Sequence, residues 1–133
     1  MPFYTKSELT EIVRKLGIRL DKNRGQCFLV DKNMVNIIID AANLRERDTV
    51  LEIGSGLGTL SDRLVKITRT AFLVDNDRKI VEFLSSHFSN YSPTIVDIDE
   101  EKEQETPKCL NDLIKEQNLI ICKGDILELA FPD

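Results

Sequence analysis

From an apolar, β-branched run at Thr49-Val-Leu-Glu-Ile53 the chain passes into Gly54-Ser-Gly-Leu-Gly58, after which apolar residues resume at helical spacing. Glycines at a strand-to-helix junction let the backbone turn sharply, and they let a ligand lie on main-chain N–H groups that side chains would otherwise block. Asp75 comes 21 residues after Gly54, at the end of the next apolar run. An acid in that place can accept both hydroxyls of a ribose. Asp125 follows a third such run, and Glu52 stands two residues before the first glycine. Turns collect glycines for steric reasons, and a turn acid beside a helix cap would account for Asp75 alone. Loop and acid together, in the order strand, loop, helix, strand, acid, point to a nucleotide-like ligand at one edge of a sheet.

The elements that must position these residues follow from periodicity. Residues 49–53, 70–74 and 118–122 are predicted strands. Leu57, Leu60 and Leu64 mark a helix after the first, and Asp77 caps another whose inner face carries Ile80, Val81, Leu84 and Phe88. Strands alternating with helices of this length imply βαβ crossovers, hence a parallel sheet with helices on both faces. Upstream, Ser7 is the expected cap of a helix with Leu9, Ile12, Val13 and Leu16 on one face and Gly17 beyond its end. Asp31 caps the next, with Val35, Ile38, Ile39 and Ala42 as its buried stripe and Asn43 near its exit. Residues 89–117 are less regular and read as an insertion, in which Thr106 and Pro107 open one further helix.

Spacing narrows the ligand. Dinucleotide sites space their glycines G-x-G-x-x-G around a pyrophosphate, whereas this loop reads E-x-G-x-G-x-G from Glu52, which disfavours an NAD(P) site. The pattern resembles motif I of class I S-adenosylmethionine-dependent methyltransferases. That resemblance implies a Rossmann-like α/β fold, with Glu52 toward the cofactor's cationic end, Asp75 on its ribose and Asp125 on its adenine amino group.

Four motifs in order carry the likeness further: Gly25-Gln-Cys-Phe-Leu-Val-Asp31, Leu51-Glu-Ile-Gly-Ser-Gly-Leu-Gly58, Val74-Asp-Asn-Asp77 and Gly124-Asp-Ile-Leu127. Together they resemble the N-terminal part of the rRNA adenine dimethyltransferase family, and Phe28-Leu-Val-Asp-Lys-Asn33 favours its KsgA-type small-subunit branch over the Erm-type relatives. The resemblance implies S-adenosyl-L-methionine as cofactor, with Gln26, Cys27 and Leu29 against its methionyl end and Gly54 and Gly56 beneath it. It also implies dimethylation of adenines in small-subunit rRNA, with the pre-ribosomal small subunit as partner and Lys22 and Arg24 toward rRNA phosphates; a solvated basic loop is the alternative for those two. Cys27 stands where the family usually has Asn, and Asp75 where it usually has Glu. The family's catalytic N-x-P-Y motif does not occur in these 133 residues. The expected organisation is an N-terminal helical segment (1–47) and a partial cofactor-binding domain (48–133), truncated after about the third parallel strand. A non-catalytic binding or assembly module that retains the pocket, or another class I methyltransferase, stays open as an alternative.

Composition sets the outer bounds. At 133 residues, 41% hydrophobic and 31% charged, the chain is about one domain. Its N-terminus lacks signal-peptide and transit patterns and no apolar run approaches a membrane span, so a soluble cytoplasmic protein is expected. Cys27, Cys109 and Cys122 form no C-x-x-C pair and read as free thiols, with no metal site among them. The net charge of −5 divides into +3 for residues 1–47 and −8 for residues 48–133, six of the acids falling in residues 97–105, a solvated loop. His87, the single histidine, is expected at the surface or in the last turn of its helix.

Overall fold

A computed structural model describes residues 5–18, 31–98 and 119–128. Helix α1 (Lys6–Leu16) begins at Thr5 rather than at the expected Ser7. Thr5 Oγ1 accepts from the Glu8 amide at 3.1 Å and the Glu8 carboxylate accepts from the Thr5 amide at 2.6 Å, a reciprocal cap that leaves Ser7 inside the first turn. Gly17 ends the helix with φ 64°, as its position predicts. Helix α2 (Lys32–Ala42) is capped by Asp31 and closed by Asn43 at φ 48°. Its buried stripe is narrower than expected: Val35 and Ile39 are buried in a small cluster with Leu64, flanked by Leu44, Val50, Leu60 and Ile67, while Ile38 is 38% exposed and Ala42 lies at the surface.

The sheet contains β1 (Thr49–Ile53), β2 (Thr70–Asp75), β3 (Thr94–Asp97) and β4 (Leu119–Lys123), all parallel in the order β1-β2-β4-β3. The three predicted strands are β1, β2 and β4. β3 lies in the stretch read as an insertion, and its four residues pair along the far side of β4. Its signal was weak because the strand is short and Ile95 is half exposed, so only Val96 is driven into the core. β2 and β4 read as continuous apolar runs because both their faces are buried.

Helices α3 (Ser61–Ile67) and α4 (Arg78–His87) follow β1 and β2. Among the described residues all four helices lie on one face of the sheet, not on both. There Leu9, Leu57, Ala71, Leu73, Ile80, Val81, Leu84, Phe88, Leu119 and Ile121 form one core. The other face carries Phe72, Val74, Val96, Ile98, Ile120 and the buried Cys122; Cys27, Cys109 and the helix expected from Thr106 lie outside the described residues. Fully buried side chains such as Leu73, Leu84 and Ile121 each contribute about 1.5–3 kcal/mol, so β2 and β4 with α4 form the rigid centre on which the loops sit. No described helix is long and apolar enough to cross a membrane.

His87 is the last residue of α4, as expected for a terminal-turn residue, but its side chain is only 9% exposed. Its Nε2 lies 3.2 Å from Asp62 Oδ1, and its ring stacks on Phe83 and meets Phe88 edge-on. The pair ties α4 to the first turn of α3, directly behind the glycine loop.

Candidate functional site

The parallel register places Glu52 and Asp75 on the same face of neighbouring strands, near their C-terminal ends, with the glycine loop between. The loop's glycines differ in purpose. Gly54 has φ 72° and nothing within 4 Å of where a Cβ would stand, so it opens onto free space. Gly58 has φ 81°, and a Cβ there would meet Leu84 at 3.2 Å and Phe88 at 3.3 Å, so it is small to let the loop seat on α4.

The expected use of loop amides for a ligand is not what the structure holds. The N–H groups of Gly54 and Ser55 donate to the Val74 carbonyl at 2.8 and 3.3 Å, that of Gly58 to the Ser55 carbonyl at 3.1 Å, and that of Gly56 to Asp75 Oδ2 at 3.2 Å. Four of the five loop amides are thus spent on folding the loop, two of them because β1–β2 pairing runs on past the strand end. What remains is a space walled by backbone and carboxylates rather than a nest of donors for phosphate.

Asp75 organises this edge. While its Oδ2 takes the Gly56 amide, its Oδ1 accepts from the Asp77 amide at 3.0 Å, and its own carbonyl accepts from Gly124 at 3.0 Å, which binds the loop after β4 to the end of β2. Burial pushes the Asp75 carboxyl up, and the amides of Asp77 and Gly56 oppose that push. Glu52 is more strongly perturbed. Burial raises its carboxyl to about 7, against the hydroxyls of Ser61 and Ser55, which lower it, while the neighbouring Asp75 raises it further. Ser61, the fully buried first residue of α3, donates to Glu52 Oε2. The sequence reading missed Ser61; its signal was a hydroxyl at a helix start three residues after the last loop glycine.

No cationic side chain offsets either carboxylate among the described residues. Such a site suits a ligand that brings positive charge and hydroxyl donors, and it penalises a pyrophosphate. Asp125 is placed at the same sheet edge, where its Oδ1 accepts from Leu127 at 2.9 Å and starts the short 3-10 turn Ile126–Glu128. Gln26, Cys27, Leu29, Lys22 and Arg24 lie outside the described residues. Among the described residues no group of His, Cys, Asp or Glu could hold a metal ion.

Curated proteins are similar to this sequence. Ribosomal RNA small subunit methyltransferase A of Halothermothrix orenii is 38% identical over 88 residues, which is 66% of this chain and 29% of that protein. A probable ribosomal RNA small subunit methyltransferase A of Methanosphaera stadtmanae is 34% identical over 128 residues, or 95% of this chain and 38% of the relative. The corresponding protein of Pyrococcus abyssi is 37% identical over 84 residues, 63% of this chain and 31% of its own length. The chain therefore spans about a third of the length of these curated relatives. A family model described as ribosomal RNA adenine dimethylase matches residues 18–126, which takes in the glycine loop, Asp75 and Asp125. The open, phosphate-averse loop at the end of a parallel sheet thus sits in a chain that belongs to the ribosomal RNA adenine dimethylase family.

Proposed function

We propose that this chain is the cofactor-binding part of an S-adenosyl-L-methionine-dependent rRNA adenine N6,N6-dimethyltransferase, a cytoplasmic protein acting on small-subunit rRNA during ribosome biogenesis. One observation carries the choice of ligand: the loop offers open space and carboxylates with no cationic partner among the described residues, with four of its five amides already used. S-adenosylmethionine is a nucleoside with no phosphate and two positive centres, and when bound it supplies an electrophilic methyl group. Gly54 provides the close approach, Asp75 keeps lone pairs for the ribose hydroxyls while its amide partners fix its direction, and Glu52 faces positive charge. Asp125 and the segment containing Gln26, Cys27 and Leu29 complete the pocket, with Lys22 and Arg24 toward RNA phosphates. In this organisation residues 1–47 form a helical segment in front of the partial domain 48–133.

Binding is tested by calorimetry with S-adenosylhomocysteine, S-adenosylmethionine and NAD. Both S-adenosyl compounds should bind and NAD should not. Binding of NAD alone would overturn the reading.

A further inference from the structure

The opposite end of the sheet carries a feature that cofactor binding does not use. An open cleft of about 900 Å³ lies where the chain enters β1 and β2. Its walls bring together Arg45 and Arg47 before β1, Lys66 near the end of α3, Arg69 before β2, and Tyr91 from the 3-10 turn after α4. Glu46 is the one acid among the described residues that line it. None of the four cations forms an ion pair with a described residue. In a chain of net charge −5, such a local excess of positive charge is focal rather than general.

The two basic loops are braced. The Arg45 amide donates to Asp48 Oδ2 at 2.7 Å, and the Asp48 amide returns to the Arg45 carbonyl at 3.0 Å. The Arg69 amide donates to the Glu46 carbonyl at 2.6 Å, which clamps one loop to the other. Tyr91 meets the buried ring of Phe88 with centroids 6.1 Å apart and remains 38% exposed. Cations on fixed backbone, beside an anchored aromatic face, match the two recognition elements of RNA, phosphates and unpaired bases. A polyanionic peptide such as polyglutamate offers the negative charge without an aromatic face to stack.

We infer that this cleft is an RNA-binding site, gripping the phosphate backbone and stacking a base or sugar on Tyr91, at the strand end remote from the cofactor loop. The five residues of β1 separate it from that loop by about 16 Å. It holds flanking RNA rather than the reacting base. The inference rests on the rRNA reading for the identity of its ligand, but on separate residues for its chemistry.

The test is fluorescence anisotropy of a labelled RNA stem-loop, titrated with the chain across salt concentrations. Four phosphate contacts give a slope of log affinity against log salt of about −3. Replacing Arg45, Arg47, Lys66 and Arg69 together by Gln should weaken binding about tenfold or more at about 50 mM salt and remove most of that slope. The pair Arg47→Gln and Lys66→Gln should remove about half of it, which keeps the test alive if the fourfold variant folds poorly. A wild-type slope in either variant, no RNA binding by the wild type, or equal displacement of the RNA by polyglutamate would overturn the inference. Affinity for S-adenosylhomocysteine should stay unchanged in both variants. A chain that binds no S-adenosyl compound yet keeps cleft-dependent RNA binding would instead sink the cofactor reading and leave this one standing.

Discussion

Replacing Glu52 by Gln probes both the buried carboxyl and the ligand it faces. Burial holds this acid near 7 in the folded chain, against an ordinary 4.5 when unfolded. Between those values the folded state binds the proton more tightly than the unfolded state. Its stabilising contribution is therefore complete below pH 4.5 and is lost as pH rises through 7. The gap corresponds to about 3 kcal/mol at about 1.4 kcal/mol per tenfold in proton affinity. Gln keeps the volume and an acceptor for Ser61 but never ionises. Urea denaturation of both chains from pH 4.5 to 8 should show their stabilities diverging, with Glu52→Gln ahead by up to about 3 kcal/mol above pH 7. The same group reports on the ligand. Near pH 7 a share of the Glu52 carboxyls carries a proton, and a cationic ligand would expel it, so calorimetry in buffers of different ionisation heat should detect net proton release on S-adenosylmethionine binding. Parallel stability curves for the two chains would refute the burial argument, and proton uptake on binding would refute the cationic partner.

Asp75→Ala should weaken S-adenosylhomocysteine binding about tenfold or more in calorimetry, since it removes the ribose acceptor and leaves the Gly56 amide unpaired. Alanine at Gly54 and at Gly58 should separate the two glycine roles. In thermal melts Gly58→Ala should lose roughly 2 kcal/mol from left-handed strain and the clash with Leu84 and Phe88, whereas Gly54→Ala should lose about 1–2 kcal/mol from strain alone but most of its ligand affinity. His87→Phe should cost about 3 kcal/mol in urea denaturation by leaving the Asp62 carboxylate buried beside a ring, and Asp62→Asn in the same chain should recover part of it.

Much of the local architecture was legible because it depends on neighbours in the chain. Asp31 and Asp77 cap their helices, and Gly17 and Asn43 end theirs, since a cap needs only a side-chain acceptor or a left-handed φ within one turn. The apolar runs of β1, β2 and β4 and the spacing from Glu52 through Asp75 to Asp125 are equally local, so the order strand, glycine loop, strand, acid could be read directly. Competition between near neighbours explains the miss at Thr5, where a reciprocal pair with Glu8 displaced a lone Ser7.

What tertiary structure alone decided involves residues brought together from afar. Strand pairing beyond Ile53 committed the Gly54 and Ser55 amides to Val74, and the Asp75 side chain took that of Gly56, so amides that the glycine loop was expected to offer a ligand are used within the fold. Burial against α3 set the charge behaviour of Glu52, and apolar periodicity, which marks buried stripes, does not mark a lone acid for burial. β3 pairs outside β4 although it precedes it in the chain, His87 reaches Asp62 across 25 positions, and four cations from three elements meet in one cleft. The sequence by itself determined which turns form and which acids end the strands, because those preferences act within a few residues. The tertiary structure decided which donors, carboxylates and cations remain available to a ligand, because hydrogen bonds and desolvation are settled only when distant segments meet.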